Sequence, residues 1–254
     1  MREENQEQTL SKHVSDRLSS ARTVLDILRT EASALADKLG GVFEPWLAET
    51  ADAPFASLLQ AFDGRLSECR DRLADAAERH LEIQAEADEL DRRSEVVATR
   101  LGETMLAVRD TVRGIYGCDQ LAHFGFPDRT PTWPSTLLER SREVFERMTD
   151  PTLEVPPSRL PDYDLDCPRL ARTMISPIED LGEILDALRE HRREVRKSER
   201  RQSEALADFN DAFLQIAGSL ESWLRMAGHD EKADRVRPSR RRPGLIYGVR
   251  AAAS

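Results

Sequence analysis

The chain has 254 residues, 33% of them charged and only 6% aromatic, with a formal net charge of -10. Its 39% hydrophobic content is too high for a disordered chain, and the scarcity of aromatics favours thin helical layers over a wide core. No stretch approaches the roughly 18 uninterrupted apolar residues that span a bilayer, and the acidic balance argues against nucleic acid as the partner of the whole surface.

Residues 1–8 are acidic and polar where a secretory signal needs a basic start and an apolar run, so the chain reads as cytoplasmic, with no membrane partner. Its three cysteines, Cys69, Cys118 and Cys167, show no metal-ribbon spacing and argue against a disulfide framework.

Residues 1–54 are expected to form an N-terminal helix and a loop. Val14, Leu18, Ala21, Leu25, Leu28, Ala32, Leu35 and Leu39 keep a 3,4 spacing, and Gly40-Gly41 should end the helix, glycine being favoured just past a C-terminus. Residues 55–126 hold no proline and form the first long-helix unit. Its seam is expected at Leu59, Phe62, Leu66, Cys69, Leu73, Ala76, His80, Ile83, Ala87, Leu90, Ser94, Val97, Leu101, Thr104, Val108, Thr111 and Ile115. Nine of the thirteen prolines lie in residues 127–177, a connector with one short helix at 135–148 capped by Ser135 and striped by Leu137, Leu138, Val144 and Phe145.

The second long-helix unit spans residues 178–237. Its seam passes through Leu181, Leu185, Leu188, Arg192, Val195, Glu199, Gln202, Leu206, Phe209, Phe213, Ile216, Leu220 and Trp223. A 3.5-residue repeat is the signature of coiled coils and bundles. Both seams weaken at mid-length, through Ala76, His80, Ala87 and Ser94 in one and Arg192, Glu199 and Gln202 in the other. If the helices run antiparallel, these weak middles face each other and a polar layer fixes the register.

Each long tract is followed by a related segment. Gly117, Asp119, Ala122, Pro127 and Arg129 match Gly228, Asp230, Ala233, Pro238 and Arg240 at a constant shift of 111 residues. The pattern reads as an internal duplication in which Gly closes a helix, Asp caps the next short one and Pro ends it.

No chemistry-bearing motif emerges. The chain lacks the glycine loops that cradle phosphates and the paired Glu-x-x-His of di-iron bundles, so no cofactor is expected. Asp162-Tyr163-Asp164-Leu165-Asp166 imitates an EF-hand start, but Cys167 stands where the turn needs Gly and Thr173 where the bidentate Glu belongs, so it reads as a solvated acidic loop with no metal. His80 reads as a hydrogen-bonded core histidine. Cys69 reads as a small buried hydrophobe. Cys118 and His123 lie across an expected helix break and are set aside as a nucleophile and base. Trp133, between Pro131 and Pro134, and Trp46, after Pro45, are expected to pack on the bundle, the alternative being exposed docking aromatics.

Two basic segments depart from the acidic background. Residues 191–201 carry Arg192, Arg193, Arg196, Lys197, Arg200 and Arg201 against Glu194 and Glu199, and residues 235–254 carry Arg235, Arg237, Arg240, Arg241, Arg242 and Arg250 with no acid. Both are candidate partner-binding sites, weighed against a solvated face offset by acids on a neighbour. The tail, residues 238–254, reads as docked on the body through Leu245-Ile246-Tyr247, the alternative being a free partner-binding arm.

The expected fold is all-α, an elongated helical bundle or antiparallel coiled coil, and the expected function is that of a non-catalytic scaffold or adaptor. Its partner is another protein, held through helix packing, with a second copy of the chain as a further candidate. The alternative is a nucleic-acid-associated accessory subunit using residues 191–201 and 235–250. Small-angle scattering is expected to give a radius of gyration clearly above the value of about 18 Å that a compact domain of this length would show. A value near that figure overturns the elongated reading.

Overall fold

A computed structural model describes residues 10–44, 54–160 and 165–247. The fold is all-α. Its helices are α1 (Lys12–Phe43), α2 (Pro54–Tyr116), α3 (Pro134–Thr149), α4 (Cys167–Ala171), α5 (Ile175–Met226) and α6 (Asp230–Val236), with 3₁₀ segments at Cys118–Phe124 and Arg172–Met174. Among the described residues the only ladder pairing is an isolated antiparallel bridge between Pro238 and Ile246.

The contacts divide the chain into two compact units that cut across both long helices. Unit 1 is Met1–Ile83 with Arg196–Ser254, and unit 2 is Gln84–Val195. Each is built on one segment of α2 and one of α5.

In unit 1 these segments run antiparallel, with Arg72 at 3.9 Å from Asp208 and the His80 ring 2.9 Å from the Ser198 hydroxyl. Here α5 buries Phe209, Ala212, Phe213, Ile216, Ala217, Leu220 and Leu224, an i, i+3, i+4, i+7 stripe too wide for one partner helix. The second partner is α1, which lies antiparallel to α2, Arg29 reaching Asp63 at 2.7 Å and Ser67 at 3.1 Å, and parallel to α5, Arg17 donating to Asn210 at 2.9 Å. Val24, Leu25, Leu28, Leu35 and Leu39 of α1 complete the core, and α6 closes its end with Ala233, Val236 and the Lys232–Glu31 pair at 2.6 Å. Donation from Lys232 holds the Glu31 carboxyl below its ordinary range.

In unit 2 the same antiparallel pairing is marked by Arg192 with Asp91 at 3.0 Å. The third helix is α3, parallel to α2. Leu137 packs over Gly102 of α2, the buried Ser141 hydroxyl donates to the Met105 sulfur at 3.5 Å, and Arg142 and Leu138 close on Gly182 of α5. Val108, Val112 and Ile115 of α2 meet Phe124, Phe126, Val144, Met148, Cys167 and Met174 in this second core. Burial pushes the Cys167 thiol up. Gly117 ends the helical run in the left-handed region, φ 99°, which strains any other residue, and the Arg159 guanidinium lies close over its Cα. Arg159 also pairs with Asp119, whose carboxyl is held low mainly by Gln120 donating to it, with the Arg159 charge adding to the effect.

The two units share three local features. A long-helix C-terminus ends at a left-handed glycine, Gly117 or Gly228, and is followed by a short helical segment; a shorter helix lies parallel to it as third partner.

The structure corrects several local expectations. Gly40 and Gly41 do not end α1, which runs to Phe43. Asp119 and Asp230 do not cap their short helices with their side chains, which serve Gln120, Arg159 and Arg225 instead. Ser135 does not cap α3, whose N-cap is Trp133 with Pro134 at the first helical position. Along α2 the buried positions Ala77, Ala98, Met105 and Val112 each lie one residue past the expected Ala76, Val97, Thr104 and Thr111; at Met105 and Val112 the more apolar neighbour of a threonine takes the interior. In α5, Ser198 is buried in place of Glu199, and Arg192 is exposed instead of lying in the seam.

Of the expected polar layer, His80 is bonded to the Ser198 hydroxyl, whereas Arg192 and Glu199 face outward. The apolar core of unit 1 reaches Ala77 along α2, and that of unit 2 begins at Ala98.

Phe209 and Phe213 are fully buried and stack at 5.7 Å, so Phe209→Ala or Phe213→Ala is expected to cost about 3–5 kcal/mol in thermal or denaturant unfolding. Arg192→Leu removes only an exposed pair and is expected to change stability by no more than about 1 kcal/mol. A large loss there overturns the surface placement.

Candidate functional site

The basic residues singled out from the sequence fall into different environments. On α5, Arg192 is paired with Asp91 at 3.0 Å and Arg193 with Glu190 at 2.9 Å, and Arg196 and Lys197 also have partners. Arg200 and Arg201 are exposed and, among the described residues, carry no ion pair. Arg237 packs its guanidinium 4.8 Å above the Tyr247 ring centroid and reaches Glu221 at 3.9 Å. The side chains of Arg235, Arg240, Arg241 and Arg242 are exposed and unpaired among the described residues, whereas Arg250 lies outside them.

The tail that carries these arginines is docked as far as residue 247. Leu245 and Ile246 are buried, the Ile246 N–H donates to the Ser20 hydroxyl of α1 at 3.4 Å, and backbone bonds from Ser239 to Leu245 and from Tyr247 to Arg237 close a short hairpin. Gly244, at φ 79°, lets the hairpin backbone approach Asn210 and Arg17 where a Cβ would clash. Arg17 is buried and, among the described residues, forms no ion pair with a carboxylate. It donates to Asn210, to the His13 carbonyl at 2.8 Å and to the His13 ring, and burial lowers its pKa.

The remaining candidates resolve individually. His80 is half-buried and bonded to Ser198, as the core reading expects. Cys118 and His123 lie in one continuous 3₁₀ segment, not across a break, and the His123 Nε2 donates to the Glu154 carbonyl at 2.8 Å. Cys69 is buried in the core of unit 1. Of the acidic loop, residues 161–164 lie outside the described residues, and Asp166 caps α4 by accepting from the Arg169 N–H at 2.9 Å. Trp46 lies outside the described residues. Trp133 does not pack on the bundle; it is 76% exposed.

Trp133 stands at the edge of a groove of about 1000 Å³ in unit 2. Its floor is a face of α2 that carries Asp91, Glu95, Thr99, Gly102, Glu103 and Leu106, its far wall Leu185, Leu188, Arg189 and Arg192 of α5, and its end the 131–135 segment with Leu137. Pro134 explains the local geometry. The residue before a proline is pushed to extended backbone, and Trp133 has φ -78° and ψ 127°, so α3 starts there and extends only away from the groove.

Charge is unevenly matched in the groove. Arg192 is neutralised by Asp91 and Arg189 by Asp186 at 2.5 Å, whereas Glu95 and Glu103 have no cationic partner among the described residues. Leu106 is 44% exposed beside them. Sequence reading missed this site. Its signal lay off the seam, in the i, i+4, i+8 spacing of Glu95, Thr99 and Glu103 beside a Pro-Thr-Trp-Pro segment.

No family model, no curated protein and no solved structure matches this chain. Among the described residues no group of three potential metal ligands converges, and no helix is long and apolar enough to cross a membrane.

Ile246 belongs to the core of unit 1, so Ile246→Ala is expected to destabilise the protein by about 2–5 kcal/mol. An unchanged melting temperature overturns the docking of the tail.

Proposed function

We propose that the protein is a non-catalytic helical adaptor that holds another protein in the groove beside Trp133, as a subunit of a larger complex. The exposure of Trp133 carries this reading. At a helix N-cap, Ser, Thr, Asp or Asn stabilises by about 1 kcal/mol, and a tryptophan in solvent contributes neither a cap nor burial. Folding stability therefore gives no reason for it. Tryptophan is among the residue types that most often dominate protein–protein affinity once a partner buries them. The three cysteines are free thiols, two of them buried, which supports a reducing compartment such as the cytoplasm.

A second reading, a nucleic-acid accessory subunit, draws on Arg200, Arg201, Arg240, Arg241 and Arg242, which are exposed and carry no ion pair among the described residues. It competes with the net charge of -10 on the chain as a whole.

A photo-crosslinking residue placed at Leu106, on the groove, and another at the exposed Leu214 of unit 1 separate the readings in host extract. The adaptor reading expects protein adducts from position 106 and few from 214. Absence of adducts at 106, together with oligonucleotide binding whose affinity falls steeply with salt, overturns it in favour of the second reading.

A further inference from the structure

We infer that the occupant of the unit 2 groove is a basic amphipathic helix of a partner protein, laid end to end with α3 in the track that α3 leaves uncovered; this rests on the adaptor reading above. In unit 2 the α2–α5 pair is covered by α3 only from Leu137 onward, where Leu137 meets Gly102. The preceding stretch, with Ala98 of α2 facing Leu185 and Leu188 of α5, keeps the form of a two-helix floor without its third helix. A two-helix floor accepts a third helix by the same ridge-and-groove packing that seats α3.

The charge of that helix follows from the floor. Of the five ionisable groups lining the groove, Asp91 and Arg192 neutralise each other and Arg189 is spent on Asp186. Glu95 and Glu103 remain, eight residues apart on one face and so separated by about 12 Å along the axis. An incoming helix that presents Lys or Arg at i and i+7 or i+8 would pair with both, with its apolar residues against the exposed Leu106 and the partly exposed Leu185. The Trp133 ring at the rim is the aromatic type that best accepts a cation over its face. Two carboxylates in the floor repel phosphate, so nucleic acid does not fit here.

The probe is a fluorescein-labelled 14-residue amphipathic Leu/Lys peptide, titrated against the full chain by anisotropy, with a Leu/Glu counterpart as control. Saturable binding is expected for the Lys peptide alone. Trp133→Ala and the double variant Glu95→Gln/Glu103→Gln are each expected to weaken it by about tenfold or more. Asp75→Asn/Glu78→Gln, which removes two exposed acids of α2 in unit 1, is expected to change it less than about twofold. All the altered residues are exposed, so unchanged melting curves are the folding control.

Equal weakening by the control variant would reduce the effect to net charge and overturn the inference. So would indifference to Trp133, binding of the Glu peptide, or absence of saturable binding. If sedimentation shows a dimer that Trp133→Ala dissociates, the groove belongs to a second copy and the inference falls. Protein adducts from position 106 with a partner segment that is not a basic helix would leave the adaptor reading standing and remove this one alone.

Discussion

The structure depends on the need of each long helix for a third neighbour. An antiparallel pair buries a narrow seam, but α5 carries Phe209, Ala212, Phe213, Ile216 and Ala217 as a stripe that a single partner leaves half wet. In unit 1 that excess is met by α1, and in unit 2 α3 does the same for Met105, Val108 and Val112 of α2. Where the stripe narrows, no third helix is recruited. The middle of α2 offers Ala87 and Ser94, and the middle of α5 offers Val195, Ser198 and Gln202. Such small or polar residues bury too little area to offset the ordering of another helix.

The same constraint explains how charge is used. With a third of its residues ionised, the chain forms many of its ion pairs locally, at i, i+3 or i, i+4 on helix faces, each worth a few tenths of a kcal/mol. A few bridge helices and fix register, among them Arg29–Asp63, Lys232–Glu31 and Arg192–Asp91. Arg225, held by Asp234 and Glu221 and so raised in pKa, ties the end of α5 to α6. Glu95 and Glu103 have no cationic partner among the described residues, and they share one groove.

What the sequence revealed was set by period, and what it hid was set by phase and by neighbours. The proline-free tracts and their 3.5-residue repeat identify α2 and α5, and the polar interruption around His80 anticipates its bond to Ser198. The seam slips by one residue at Met105 and Val112 because packing takes the apolar side chain over the adjacent threonine, which a fixed alternation ignores. Gly40 and Gly41 stay helical because burial of Leu35 and Leu39 against the other helices outweighs a glycine cost of about 1 kcal/mol each. The docking of the tail was legible in Leu245 and Ile246, but its seat on Ser20 required the fold.

The groove was illegible for a different reason. A buried stripe announces itself by apolar residues at regular spacing, whereas a docking surface must tolerate water and so mixes carboxylates, a glycine and single apolar residues. Glu95, Thr99, Gly102, Glu103 and Leu106 read in isolation as an ordinary wet face of α2. They acquire meaning only because Pro134 forces α3 to begin at Trp133, leaving the floor before it uncovered. Had α3 begun two turns earlier, its side chains would cover Glu95 and Glu103 and would have to carry matching cations. That no cation among the described residues meets these carboxylates is the reason to look for one on another molecule.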